Sequence, residues 1–187
     1  MSYDFYCYRP TSNSPSKEEA RAAIESEECT AYRDDDEAQV FKRTLAEALT
    51  KYNPRLEIFR PDHEKIAESM KISIEQARPH WNHVELNPPE GDLAIQLQVN
   101  WERVFITIPY WYTGVAADRV FELLASYLNV IRKTTGFFAY DPQTDRAFDP
   151  ERESFVDHAE YDRIAENLPS IMAHAKAENK RPWWKFW

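Results

Sequence analysis

Glycine is nearly absent from this chain, with three residues in 187, at Gly91, Gly114 and Gly136. Their dispersal excludes a glycine-rich phosphate loop, whose close-set glycines let backbone N–H groups cradle an anion. It also excludes a serine nucleophile elbow, because none of the three sits beside a serine. Two cysteines, Cys7 and Cys29, are too few for a disulfide framework and are not spaced as a metal knuckle. No apolar run approaches the roughly 18–20 residues that a membrane-spanning helix needs, so stable membrane insertion is not expected. Met1-Ser-Tyr-Asp-Phe has neither the basic nor the apolar region of a secretory signal, and a cytoplasmic location is therefore expected. Basic charge is short as well. The chain has 23 Lys and Arg against 32 Asp and Glu, a net charge of −9, which suits neither nucleic acid nor an anionic bilayer as a partner.

Apolar and aromatic side chains are plentiful, at 43% and 14% of the residues, ample for a core at this length. Their spacing changes along the chain. Tyr3 to Tyr8 alternate, with Tyr3, Phe5 and Cys7 to one side and Asp4, Tyr6 and Tyr8 to the other, which is the period of a strand. A central stretch alternates likewise through Val84 and Leu86, then Leu93, Ile95, Leu97 and Val99, then Val104, Ile106 and Ile108. Short connections at Pro88-Pro89-Glu90-Gly91 and Asn100-Trp101-Glu102 make it an antiparallel meander. Further short strands are expected at Leu56–Phe59 and Phe137–Tyr140, the second followed by a turn at Asp141-Pro142-Gln143-Thr144.

Elsewhere the period is helical. Ser16 and Glu19 fit a capping box opening a surface helix over 17–28. Asp34-Asp35-Asp36 suit the start of a helix bearing Val40, Phe41, Leu45, Ala48 and Leu49, which ends before Asn53-Pro54. Pro61-Asp62 begins a stretch with Ile66, Ala67 and Met70 inward, and Ser73 with Gln76 repeats the box. Thr113-Gly114 opens a long helix with Val120, Leu123, Leu124, Tyr127, Leu128 and Ile131 apolar, closed by Arg132, Lys133 and Gly136. Asp149-Pro150-Glu151 has the order of cap, first-turn proline and acid. A last helix is expected to follow with Phe155, Ile164, Leu168, Ile171 and Met172 inward and a kink at Pro169. These elements predict one α+β domain over 1–179, built on a mainly antiparallel sheet (N-terminal strand plus central meander) with helices packed on one face. Residues 180–187 form a separate basic aromatic tail.

Few residues offer chemistry. His80 and His83 bracket Trp81-Asn82 with Glu85 following, but they precede a strand, where residues three apart point oppositely, and no further ligands complete a zinc set. His63-Glu64 lacks the second histidine of a zincin, since position 67 is Ala67. Glu85, Asp92 and Glu102 lie on or beside the meander, where a carboxylate pair for hydrolysis is one reading and a solvated sheet face the other. Cys7 falls inside a strand and Cys29 follows two glutamates, so neither is poised as a thiolate nucleophile. No catalytic residue, metal or cofactor is assigned.

Three features point instead to binding. Between Glu18 and Glu37 lie nine acids (Glu18, Glu19, Glu25, Glu27, Glu28, Asp34, Asp35, Asp36 and Glu37) against Arg21 and Arg33. Such a cluster either keeps a surface solvated or speeds encounter with a basic partner; Asp34, Asp35, Asp36 and Glu37 are its candidate contacts. Tyr110-Trp111-Tyr112 ends a strand just before a helix, a place for core aromatics or for interface anchors, with Trp111 and Tyr112 as the candidates. The tail, Lys180-Arg181-Pro182-Trp183-Trp184-Lys185-Phe186-Trp187, interleaves four aromatics with three bases. Trp183 and Trp184 either fold back on the domain, dock in a partner or touch a bilayer interface.

Two segments carry a resemblance. The opening Met1 to Tyr8, Met-Ser-Tyr-Asp followed by alternating aromatics, and the Gly136 to Gln143 strand and turn are similar to those of a loose group of small bacterial proteins. Some members of that group look like immunity proteins encoded beside polymorphic or type VI-secreted toxins. The resemblance implies a non-enzymatic binding protein that neutralises a cognate toxin, or another basic protein, by occluding its active site. A hydrolase using the meander carboxylates or His80 and His83 is the alternative, and an interaction module recruited through the aromatic tail is the third.

Overall fold

The computed structural model describes residues 2–25, 35–59, 62–77, 82–153 and 158–167. The chain is α+β, with seven strands in one antiparallel sheet and six helices among the described residues. In chain order these are β1 (Ser2–Tyr8), α1 (Lys17–Glu25), α2 (Asp36–Tyr52), β2 (Glu57–Phe59), α3 (His63–Met70), α4 (Ile74–Ala77), β3 (Val84–Asn87), β4 (Gln96–Val99), β5 (Arg103–Pro109), α5 (Val115–Thr135), β6 (Phe138–Asp141), β7 (Arg146–Phe148) and α6 (159–167).

The sheet order is β2-β3-β4-β5-β1-β6-β7. The N-terminal strand inserts between the meander and the C-terminal hairpin, pairing Ser2 with Pro109 and Tyr8 with Arg103 on one side and Tyr8 with Phe138 on the other. The strand's alternation explains this central place, since Tyr3, Phe5 and Cys7 are buried on one face while Tyr8 is buried on the opposite one. Helices α2 and α5 cover the first face and supply Leu45, Leu49, Val120, Phe121, Leu124, Tyr127 and Ile131 to the main core. The short α1 lies on the other, where Ala20 joins Tyr8, Phe138 and Tyr140 in a second cluster. It is tied there by Lys17 and Arg21 to Asp145 (3.1 and 2.7 Å) and by Arg103 Nη1 donating to the Ile24 carbonyl (2.9 Å).

Local signals explain most helix ends. Asp35 caps α2, its carboxylate accepting from the Ala38 N–H at 2.9 Å. Ser73 and Gln76 form the reciprocal box, each side chain accepting from the other's N–H at 3.2 and 3.0 Å. At Ser16 only half the box forms. The Ser16 hydroxyl accepts from the Glu19 N–H (3.3 Å), while the Glu19 carboxylate turns to the Thr11 N–H and the Ser12 hydroxyl. Gly136 adopts the left-handed φ of 77° that ends α5.

Three details depart from the sequence pattern. Val40 and Met70, expected inward, are exposed, and Lys42 is buried in the α2 stripe. Its ammonium donates to the carbonyl and side-chain oxygens of Asn82 (2.5 and 2.8 Å). Asp149-Pro150-Glu151 opens a turn and not a helix. Asp149 is buried, and its two carboxylate oxygens take a bidentate pair from Arg132 (2.9 and 3.0 Å), so its side chain serves a distant arginine beside local N–H groups. Of the residues expected inward on the last helix, Ile164 packs on the core, while Phe155, Leu168, Ile171, Met172 and the kink at Pro169 lie outside the described residues. No helix among the described residues is long and apolar enough to cross a membrane.

Candidate functional site

Strand β5 ends at Pro109 and α5 starts at Val115, so residues 110–114 must turn the chain back over the sheet. Strand alternation sends Tyr110 inward, where it is 7% exposed and its ring stacks on Tyr161 of α6 at 5.2 Å. The next residue, Trp111, points out and is 69% exposed. Its neighbours are fixed on both sides. The Tyr161 hydroxyl donates to the Pro109 carbonyl (2.7 Å) and accepts from the Tyr112 N–H (3.1 Å). The Tyr112 hydroxyl accepts from the Ala94 N–H at 2.6 Å, bracing the turn against the β3–β4 connection. Val115, four residues on, is 68% exposed as well, so the apex of the braced turn carries two outward apolar side chains.

The ground beneath the apex is aromatic. Tyr3, Tyr110, Phe121 and Tyr161 pack with ring centroids 5.1 to 6.0 Å apart. Burial pushes the Tyr110 and Tyr161 phenols up to about 12, and pushes Tyr3 up further with the help of nearby Asp141, to which Tyr3 donates at 2.8 Å. The cluster therefore stays neutral at ordinary pH. Beside it, His158 at the start of α6 bridges two carboxylates, with Nδ1 2.7 Å from Asp162 and Nε2 2.9 Å from Asp118 of α5. Both ring nitrogens are engaged, which leaves neither for general-base work or for a metal.

The other candidate residues do not join this site. Asp35, Asp36 and Glu37 lie together at the start of α2, next to the β4–β5 turn, because Gln39 and Lys42 one turn on bond Asn82 just before β3. That end of the sheet is separated from Trp111 by the length of β5, whose seven residues at about 3.3 Å each span roughly 20 Å. Asp35 is the helix cap, and Asp36 and Glu37 are exposed. Asp34, His80, Trp183 and Trp184 lie outside the described residues, as does Cys29.

The meander residues are engaged singly. His83 faces Glu85 at 3.6 Å, and burial pulls its imidazole down against that carboxylate. Glu85 also accepts from Asn87 and Gln96 (2.8 and 2.7 Å). Asp92 pairs with Arg55 at 2.7 Å in the β3–β4 connection, whereas Glu102 sits in the β4–β5 turn at the other end of β4, so the carboxylates are not brought to one point. Cys7 is buried and its thiol is pushed up. No group of three His, Cys, Asp or Glu side chains among the described residues could hold a metal ion.

Tyr161 and His158 were not marked by the sequence pattern. The signal for His158 is its i,i+4 spacing to Asp162 on a helix; Tyr161 sits among charged residues with nothing local to distinguish it. No protein-family model, curated protein or solved structure matches this chain.

Proposed function

We propose that this is a non-enzymatic binding protein whose principal anchor is Trp111, and that its partner is a basic protein. The observation that carries the reading is a tryptophan 69% exposed on a turn whose flanking residues are hydrogen-bonded in place. Holding so large an apolar ring in water is unfavourable, and the braced backbone removes the ordering cost that a partner would otherwise meet. Tryptophan is also the side chain most enriched among interface residues that dominate affinity. Asp118, with its side chain 56% exposed, stands one turn from Val115 and supplies an acidic rim. Asp36 and Glu37, at the far end, act on the approach of a basic partner more than on the contact itself.

The similarity of Met1–Tyr8 and Gly136–Gln143 to a loose group of small bacterial proteins, some of which look like immunity proteins, refines the reading. The partner is a cognate toxin of the polymorphic or type VI-secreted kind, met in the bacterial cytoplasm and neutralised by covering its active site. The test uses the full chain as bait in its native host, with Trp111→Ala as the matched control. The reading expects a stoichiometric basic protein that binds the wild type, is released by high salt, is lost by about 30-fold in affinity in the variant, and is toxic when expressed without this chain. Equal retention by both baits, or a partner harmless on its own, overturns the anchor or the toxin reading respectively.

A further inference from the structure

We propose that His158 is a pH-sensitive latch, its protonated ring clamping α6 to α5 through Asp162 and Asp118, so that deprotonation loosens α6 and with it the turn that presents Trp111. The latch is a property of the chain by itself; only its consequence for binding rests on the Trp111 reading.

The geometry is that of a doubly donating ring. Nδ1 is 2.7 Å from Asp162, four residues on in α6, and Nε2 is 2.9 Å from Asp118 on α5. A protonated imidazole has an N–H at each position and satisfies both carboxylates, whereas a neutral one keeps a single N–H and turns a lone pair towards the other. Loss of the proton therefore removes one hydrogen bond and leaves two carboxylates facing an uncharged ring. The remaining surroundings do not substitute for that charge. The Phe121 ring lies 5.2 Å from the imidazole, and the adjoining phenols of Tyr3, Tyr110 and Tyr161 are pushed up and stay neutral. On α6 itself, Glu160 and Arg163 pair with each other at 2.5 and 2.9 Å.

The sign follows from the same contacts. Burial alone favours the neutral ring, but the hydrogen bonds it donates to Asp118 and Asp162 outweigh it and raise the imidazole above its ordinary value. The clamp is thus fully closed below the ordinary histidine range near 6.5 and opens as pH rises through the raised value. Opening reaches Trp111 through one side chain. Tyr161, three residues after His158 and fully buried, holds both the Pro109 carbonyl and the Tyr112 N–H with its hydroxyl. An α6 that lifts withdraws both bonds at once.

The test is residue-resolved amide hydrogen exchange on the full chain between pH 6 and 9, corrected for the intrinsic pH dependence of exchange. Protection of the α6 amides and of the Tyr112 amide should fall together, on the order of tenfold for each unit by which folding raises the imidazole. His158→Gln should abolish this pH dependence. Tyr161→Phe should keep it in α6 while leaving Tyr112 unprotected throughout. Protection that is constant with pH in the wild type, or the same fall in His158→Gln, overturns the latch; a fall in α6 without one at Tyr112 overturns its link to the turn. Should His158→Gln not fold, titration of the His158 ring protons by NMR decides. A midpoint above the ordinary value that moves down in Asp118→Asn supports the latch, and an unmoved midpoint overturns it.

Discussion

Trp101 and Trp111 stand at the two ends of strand β5, each in a turn, and the fold uses them in opposite ways. Trp101 is half-buried, edge-on to Phe41 of α2 at 5.2 Å. The Arg9 guanidinium lies 4.7 Å over its ring and within 5.7 Å of Phe41 and Phe137 as well. Three segments distant in sequence, at Arg9, Phe41 and Phe137, thus gather at one tryptophan. At the other end the inward places are taken by Tyr110 and Tyr161, and Trp111 is left outside. An aromatic residue in a turn is therefore not by itself a sign of an interface; what matters is whether other elements arrive to cover it. The ends also differ in charge chemistry. The Arg132–Asp149 pair secures the Trp101 end and is weakened by acid, whereas His158 secures the Trp111 end and is weakened by base.

The comparison can be broken most directly by alanine at each tryptophan. Trp101→Ala should lower unfolding free energy by about 3 kcal/mol, since ring packing and the Arg9 stack are both lost. Trp111→Ala should change it by less than about 0.5 kcal/mol. Equal effects in urea unfolding would show that the two ends are not used differently.

Next in size is Arg132→Met, expected to remove about 2 kcal/mol at neutral pH, below the full value for a deeply buried pair because Arg132 is partly in contact with water. Its hydrogen bonds to Asp149 hold that carboxyl below the usual carboxylate range. The stability they contribute is present above the unfolded value near 3.9 and is lost as pH falls through the lowered one. Acid titration of stability should accordingly be flatter in Arg132→Met than in the wild type.

Tyr161→Phe sharpens the other end. It removes only a hydroxyl, yet strands the Pro109 carbonyl and the Tyr112 N–H, for about 1.5 kcal/mol. The loss should appear as faster exchange at Tyr112 with little change around Trp101. The smallest pair of effects belongs to α2. Asp35→Ala should cost about 1 kcal/mol through the lost cap, while Asp36→Asn and Glu37→Gln, exposed in the first turn, should each stay within about 0.5 kcal/mol in thermal unfolding.

Much of the fold was legible because its signals are local. The alternation of Tyr3 to Tyr8 and of the meander, the Ser73–Gln76 box, the Asp35 cap and the Gly136 stop each depend on residues a few positions apart. The last helix, expected to open at Asp149, begins instead at 159, for the complementary reason. Cap, proline and acid are a valid local pattern, but at Asp149 they open a turn, and its carboxylate accepts both the Glu151 N–H and a bidentate pair from Arg132, seventeen positions earlier. Of the candidate site, Trp111 was legible as an aromatic at a strand end, whereas its outward direction and the roles of Tyr161 and His158 were not.

By itself, then, the sequence determined the composition of the layers, since hydrophobic period and caps are set by neighbours along the chain. It determined as well the acidic character of the surface. Only the tertiary structure decided the placement of β1 between the meander and the last hairpin, the separation of Asp36 and Glu37 from Trp111, and the exposure of one tryptophan and the cover of the other. Those outcomes depend on contacts between residues tens of positions apart, such as Tyr161 with Pro109 and Arg9 with Trp101. No local period encodes them, because they follow from which elements fill the space above each end of the sheet.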